Sequence, residues 1–247
     1  MTRLDQALVD RGLCESRERA KRAILAGQVR VNTQLAHKPS DSVQPNDNLA
    51  LDAGEKYVSR GGQKLEHALR HFQLDVAGLV ALDLGASTGG FTDCLLQHGA
   101  AKVFAVDVGQ GQLAWKLRQD HRVVVMEKTN ARHLTAAQFP QPFVPADLAV
   151  IDCSFISLRK ILPAAIALLR LNGKIVALIK PQFEAGKAEA DKGRGVIKDT
   201  SVHERVLNEL REFVAAQPGL VWRGVIESPL LGPAGNKEFL ALIEKTS

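Results

Sequence analysis

Aromatic side chains are scarce in this 247-residue sequence, at 5 % of the total, and residues 1 to 56 hold no Phe, Trp or Tyr. An N-terminal region without aromatics offers no platform for stacking single-stranded bases. Cysteine is scarce too. Cys14, Cys94 and Cys153 are odd in number, far apart and without a C-x-x-C pair, which argues against a disulfide framework and a thiolate metal site. Each reads as a small buried hydrophobe. Long apolar runs are missing: the longest, Ile161 to Leu169, stops at Arg170, well short of the roughly 20 residues a membrane-spanning helix needs. Met1-Thr2-Arg3-Leu4-Asp5 lacks the apolar core of a signal peptide, so a cytoplasmic protein without a membrane partner is expected.

What remains is an ordinary globular mixture, 45 % hydrophobic and 24 % charged, with a net charge of +5 that permits a polyanionic partner. Residues 1–51 read as one small α/β module. Thr2 to Asp5 resemble a capping box opening a helix, and Leu4, Ala7 and Leu8 repeat at helical spacing as far as Gly12. Ser16 caps a second helix that turns Ala20, Ala23 and Ile24 inward and ends near Gly27. Val29 and Val31 form a strand, Asn32-Thr33 a turn, and Leu49 with Leu51 a last strand. Arg17, Arg19, Lys21, Arg22 and Arg30 face only Glu18 between positions 17 and 30. Such a cluster suits phosphate contact, whose Coulombic attraction does not demand a particular shape, although a solvated helix face has the same composition. With no aromatics, the nucleic acid it suits is folded RNA, recognised by shape and backbone.

Residues 52–59 read as a linker and residues 60–247 as a second domain. A helix after Ser59 carries Leu65, Ala68, Leu69 and Phe72 on one stripe. Apolar runs then alternate with helical segments: Val80 to Leu84, Val103 to Asp107, Val123 to Met126, Leu148 to Ile151 and Ile175 to Ile179. This alternation predicts an open, parallel, Rossmann-like α/β sheet covered on both faces.

The first of these strands runs into Asp83-Leu84-Gly85-Ala86-Ser87-Thr88-Gly89-Gly90-Phe91. Glycines there let backbone N–H groups approach a ligand at a helix N-terminus. As a dinucleotide fingerprint the turn is poor, because G-x-G-x-x-G needs glycine where Ser87 stands. Gly85 to Gly89 also satisfy the G-x-S-x-G nucleophile elbow, with Asp152 and His203 following in order; that elbow, however, comes after several strands of its sheet, and it leaves Asp107 without a role. A better fit is the pattern of S-adenosylmethionine-dependent methyltransferases. Asp83 ends the first strand beside the turn expected to hold the cofactor's amino-acid moiety, and Asp107 ends the second, where a carboxylate accepts two ribose hydroxyls. Asn130 follows the third strand, near the expected adenine position.

Asp152 and Lys180 each follow a run of apolar residues, at the sheet edge where ligands bind in this architecture. His67 and His71 have an i, i+4 spacing but lack the glutamate and third ligand of a zinc site, so no metal is expected. Arg60, Lys192, Arg194 and Lys198 lie in glycine-punctuated stretches suited either to RNA-backbone contact or to solvated loops.

Two resemblances sharpen these readings. Arg3-Leu4-Asp5, Leu8, Gly12, Ser16-Arg17, Ala20, Ile24, Gly27, Val29 and Val31-Asn32 resemble the small RNA-binding module named after ribosomal small-subunit protein four. Among its basic residues, Arg3, Arg17, Arg19, Lys21, Arg22 and Arg30, joined by Arg60, are the expected RNA contacts. Lys64, Asp152, Lys180 and Glu238 resemble, in order and spacing, the Lys-Asp-Lys-Glu tetrad of FtsJ-like RNA ribose 2'-O-methyltransferases. The segments 59–65, 85–91, 151–158, 180–184 and 195–199 resemble the TlyA family within that group. The resemblance implies transfer of a methyl group from S-adenosylmethionine to the 2'-hydroxyl of a cytidine in ribosomal RNA of ribosomal subunits, with 23S RNA favoured over 16S. It implies that Lys180 acts as base or hydroxyl-orienting group and that Glu238 orients or contacts the ribose. Two other readings stay open: an RNA-binding protein that has lost catalysis, and the haemolysin label that members of this family carry.

Overall fold

The computed structural model describes residues 1–51, 56–186, 189, 193 and 195–247; Lys192, Arg194 and the expected linker residues 52–55 lie outside them. The chain divides into two units, Met1–Lys56 and Tyr57–Ser247.

The first unit opens with β1 (Thr2–Arg3), α1 (Leu4–Asp10) and α2 (Arg17–Leu25), followed by β2 (Val29–Val31), β3 (Gln34–Leu35), β4 (Ser42–Val43) and β5 (Leu49–Leu51). Leu4, Leu8, Ala20, Ile24 and Val29 sit at 0–1 % exposure in a small aliphatic core. Ser16 Oγ accepts a hydrogen bond from Arg19 N and starts α2 as the sequence predicts. The expected capping box at α1 does not form. The N-cap residue is Arg3, without a side-chain cap, and Asp5 is turned inward. Two antiparallel pairings unforeseen in the sequence close the unit: β1 with β4, and β3 with β2, which also pairs with β5.

In the second unit α3 (Gly61–His71), β6 (Val80–Leu84), α4 (Gly90–Gln97), β7 (Lys102–Val106), β8 (Val123–Met126), β9 (Ala146–Ile151), β10 (Leu169–Ile179), β11 (Leu220–Glu227) and β12 (Phe239–Lys245) build one seven-stranded sheet and its first helices. Its strand order is β11-β12-β10-β9-β6-β7-β8. The five strands expected from the sequence are parallel, and their apolar runs suit burial on both faces. β12 departs from that expectation. It runs antiparallel to β10 and β11, and β11, with Trp222 and Arg223 among its half-exposed and exposed residues, had no clear signal.

One face of the sheet is covered by α3 and α4 through Leu65, Leu69, Phe91 and Leu95. Tyr57, at 2 % exposure, is part of that core. The opposite face is covered by the helices Leu162–Ala167 and Thr200–Ala215; the latter buries His203, Val206, Leu210 and Val214 at helical spacing. Cys14 and Cys94 are buried as expected, and Cys153 is half-buried.

Candidate active site

Sheet register carries the ionisable residues to one edge. Leu84 pairs with Val106 and Ile151, so the residues that follow β6, β7 and β9 emerge side by side. The chain leaves β6 for β7 on one side and later returns through β9 on the other, which makes this edge the switch point of the sheet. Ile179 at the end of β10 faces Phe239 at the start of β12. Because β12 runs against β10, it begins where β10 ends, and Glu238 lies beside Lys180.

The glycine turn is tied tightly to this edge. Gly85 has φ +91°, and a Cβ there would stand 2.6 Å from the carbonyl oxygen of Asp152. Only glycine satisfies both demands. Gly89 has φ +94° and caps α4; Ser87, also left-handed at φ +47°, is exposed together with Thr88, while Ala86, Gly90 and Phe91 are buried. Ser87 N donates to Asp107 Oδ2 at 2.8 Å, and Gly109 N donates to Asp107 Oδ1 at 2.7 Å. Two backbone N–H groups thus aim a half-buried carboxylate whose oxygens keep lone pairs for further donors.

Asp83 lies beneath the turn at 0 % exposure. Thr92 Oγ1 donates to its Oδ2 at 2.6 Å, while Oδ1 has no hydrogen-bond partner among the described residues. Burial pushes this carboxyl up to about 7. Asn130 is exposed, and its Oδ1 accepts from Arg132 N at 3.0 Å, so its carbonyl serves the turn after β8. The nucleophile-elbow reading fails on geometry. Ser87 Oγ bonds to Gln112 at 3.3 Å, buried His203 bonds through Nε2 to the Ile197 carbonyl, and Asp152 faces a lysine.

The four tetrad residues form two ion pairs. Lys64 Nζ, carried in by α3 and 6 % exposed, lies 2.5 Å from Glu238 Oε2. Glu238 is 1 % exposed, and its Oε1 has no hydrogen-bond partner among the described residues. Lys180 Nζ lies 2.6 Å from Asp152 Oδ1 and donates a hydrogen bond to Ser154 Oγ at 2.8 Å. Charges that leave water this far are tolerated only when paired, and here each lysine has its carboxylate.

Three further residues shape this edge, and the sequence reading missed them. Ser154 is one. Glu184 is another: it accepts from Ser157 Oγ at 2.6 Å and Leu158 N at 2.7 Å, fastening the loop after β9 to the segment after β10, and burial pushes its carboxyl upward. The third is Phe155, 89 % exposed with φ +62°, its ring 5.0 Å from that of Phe183. A bulky residue held left-handed is uncommon, and an exposed phenylalanine beside a buried lysine is poorly explained by packing. A signal existed in the sequence: two of nine phenylalanines follow the ends of adjacent strands, next to Asp152 and Lys180.

The expected RNA contacts Arg3, Arg17, Arg19, Lys21, Arg22 and Arg30 are exposed on the first unit, and Arg60 and Lys198 on the second. Among the described residues, no three or more His, Cys, Asp or Glu side chains come together as a metal site. No helix among them is long and apolar enough to cross a membrane.

The fold and edge together define a Rossmann-like methyltransferase. Residues 57–245 match the FtsJ-like methyltransferase family and residues 2–49 match the S4 domain. The chain is 48 % identical over 240 residues, 96 % of its length and 87 % of the relative's, to the 16S/23S rRNA (cytidine-2'-O)-methyltransferase TlyA of Mycobacterium tuberculosis. It is 33 % identical to the 23S rRNA (cytidine-2'-O)-methyltransferase TlyA of Campylobacter jejuni, covering 82 % of this chain and 79 % of that one. A solved structure from Streptococcus thermophilus, whose name carries the word hemolysin, superimposes with a TM-score of 0.75 at 46 % identity, covering 100 % of this chain and 89 % of the other. The chain belongs to the FtsJ-like methyltransferase family and, within it, to the TlyA proteins.

Proposed function

We propose that this protein is a cytoplasmic enzyme that transfers the methyl group of S-adenosylmethionine to the ribose 2'-hydroxyl of a cytidine in ribosomal RNA, with 23S RNA of the large subunit the favoured substrate and 16S RNA the second. The observation that carries this reading is the placing of two lysine–carboxylate pairs, Lys64–Glu238 buried and Lys180–Asp152 half-buried at its carboxylate, at the sheet edge beside the glycine turn. Both named TlyA relatives are cytidine-2'-O-methyltransferases of rRNA, and 23S is common to their names.

The residues fit the cofactor. Asp107 is pre-aimed by two backbone N–H groups to accept ribose hydroxyls, residues 85–91 supply a turn with little side-chain bulk, and Asp83 keeps an unsatisfied acceptor below it. Asn130 lies four residues beyond the end of β8, in the turn that follows it. S-adenosylmethionine, when bound, supplies an electrophilic methyl group on a sulfonium.

A ribose hydroxyl is a weak nucleophile, so the protein's task is orientation together with acceptance of a proton. Lys180, held by Asp152 and Ser154, orients the 2'-hydroxyl. As the base it meets that hydroxyl with the Nζ lone pair of the neutral amine, and the proton it accepts completes the ammonium that Asp152 pairs. Lys64 and Glu238 hold the neighbouring wall and contact the substrate ribose. Phe155 offers a face to the unstacked base. The first unit holds folded RNA through its basic surface, and the covalent tether raises the local concentration of substrate at the second.

The test is radiolabelled methyl transfer to separated ribosomal subunits followed by digestion to nucleosides. Wild type yields 2'-O-methylcytidine, and Lys180→Ala lowers the rate by about 10²- to 10⁴-fold while still binding S-adenosylmethionine. RNA affinity and cofactor affinity without transfer to either subunit would overturn the enzyme reading in favour of a binding protein.

A further inference from the structure

Among its described residues, the first unit buries one charged side chain completely. Asp5 is 0 % exposed at the start of α1. Its Oδ1 accepts from Arg3 Nε, and its Oδ2 accepts from a terminal guanidinium nitrogen of Arg3 and from one of Arg17, all at 3.1 Å. The three residues come from different elements. Arg3 belongs to β1, held opposite Ser42 of β4, and Arg17 is the first residue of α2. Backbone bonds from Leu4 N to the Asp41 carbonyl and from Asp5 N to the Pro39 carbonyl fix the approach of the chain. Both arginine side chains remain half-exposed.

We propose that Asp5 is the positioning residue of a phosphate site: it locks Arg3 and Arg17 side by side so that their outward N–H groups grip a backbone phosphate of structured RNA. This rests on the reading of the first unit as an RNA-binding module and goes beyond it by naming the residue that organises the contact.

A guanidinium carries five N–H donors. Arg3 commits two of them to Asp5 and Arg17 commits one, so most remain for a ligand. The cluster of two arginines and one aspartate keeps a net charge of +1. Arginine forks match phosphate geometry, which a lysine ammonium does not. A free surface arginine loses rotamer freedom when it binds; these two have lost it already, which is the advantage of preorganisation. The two cations also hold the Asp5 carboxyl down to about 2, so the arrangement persists across the working pH range.

Filter binding of the full chain to purified large ribosomal subunits over a salt series tests this, with thermal melting of each variant as control. Arg3→Gln, Arg17→Gln and Asp5→Asn should each weaken binding about tenfold, with the slope of log affinity against log salt reduced by about one. Asp5→Asn combined with Arg17→Gln should lose little more than either alone. A purely structural Asp5 would lower the melting temperature yet leave the affinity and salt slope of the folded variant unchanged, and that result overturns the proposal. Additive losses in the double variant would overturn it as well. Arg3→Lys and Arg17→Lys keep charge and remove the fork, and they decide the matter if Asp5→Asn does not fold: several-fold loss supports the fork, and wild-type affinity overturns it. Wild-type chain that fails to bind subunits would instead overturn the RNA reading of the whole unit, and this proposal with it.

Discussion

Asp5 in the first unit and Asp83 in the second are both closed to solvent, Asp5 under two half-exposed arginines and Asp83 deep beneath the glycine turn, and their carboxyl groups are displaced in opposite directions, Asp5 to about 2 and Asp83 to about 7. The difference lies in depth as well as in partners. Arg3 and Arg17 donate to Asp5, whereas Asp83 has only the uncharged donors of Thr92 and the nearby carboxylates of Asp152 and Asp107. Desolvation at depth raises the carboxyl of Asp83, and cationic N–H donors lower that of Asp5. The same contrast separates the units at large. The first carries its basic cluster, Arg17, Arg19, Lys21, Arg22 and Arg30, on the surface, and the second draws Lys64 and Lys180 into pairs with carboxylates at the sheet edge.

Acid and base titrations of stability should expose this contrast, and Asp83 carries the largest effect. Between 3.8 and about 7 the folded protein retains a proton on Asp83 that the unfolded chain has lost, so stability falls as pH rises through that window and levels off above it. Asp83→Asn should remove this slope and gain up to a few kcal/mol at pH 8 relative to its effect at pH 4, as read by urea unfolding. Asp5 has the opposite sign. Its contribution is complete above 3.8 and is lost as pH falls through about 2, so Asp5→Asn should flatten the acid end of the curve alone.

The next effect sharpens the role of the second unit. Asp107→Ala removes the carboxylate aimed by Ser87 N and Gly109 N and should weaken S-adenosylmethionine binding about 10- to 100-fold by calorimetry, with binding of RNA to the first unit unchanged. The smallest effect belongs to the first unit. Ser16→Ala deletes the cap of α2 and should cost about 1 kcal/mol of that unit's stability without changing cofactor affinity. Loss of cofactor binding in Ser16→Ala would break the division of labour between the units.

Legibility in the sequence followed the range of the interaction. Helices with local signals were readable: the Ser16 cap, the stripe Leu65, Ala68, Leu69, and the glycine turn after β6 all depend on residues a few positions apart. Strand β11 and the pairing of β1 with β4 were not, because short or half-exposed strands acquire their identity from the neighbour they pair with. Asp5 illustrates the limit within a single turn. Its spacing from Thr2 suggested a cap, and the tertiary pull of Arg17, twelve residues away, placed it in the core instead.

Sequence by itself determined the two-part organisation, the five parallel strands, the glycine turn, the residue types at the strand ends and, through resemblance, the family. These are local periodicities and residue identities, which need no folding to be present. Tertiary structure alone decided that β12 enters the sheet against its neighbours and so delivers Glu238 to the edge where Lys180 leaves it. It also decided that Lys64, 174 residues from Glu238, becomes its partner. The physical reason is that an ion pair inside an apolar edge depends on which segments the sheet brings together, and strand order and direction are set by burial of whole faces, which no single stretch of sequence encodes.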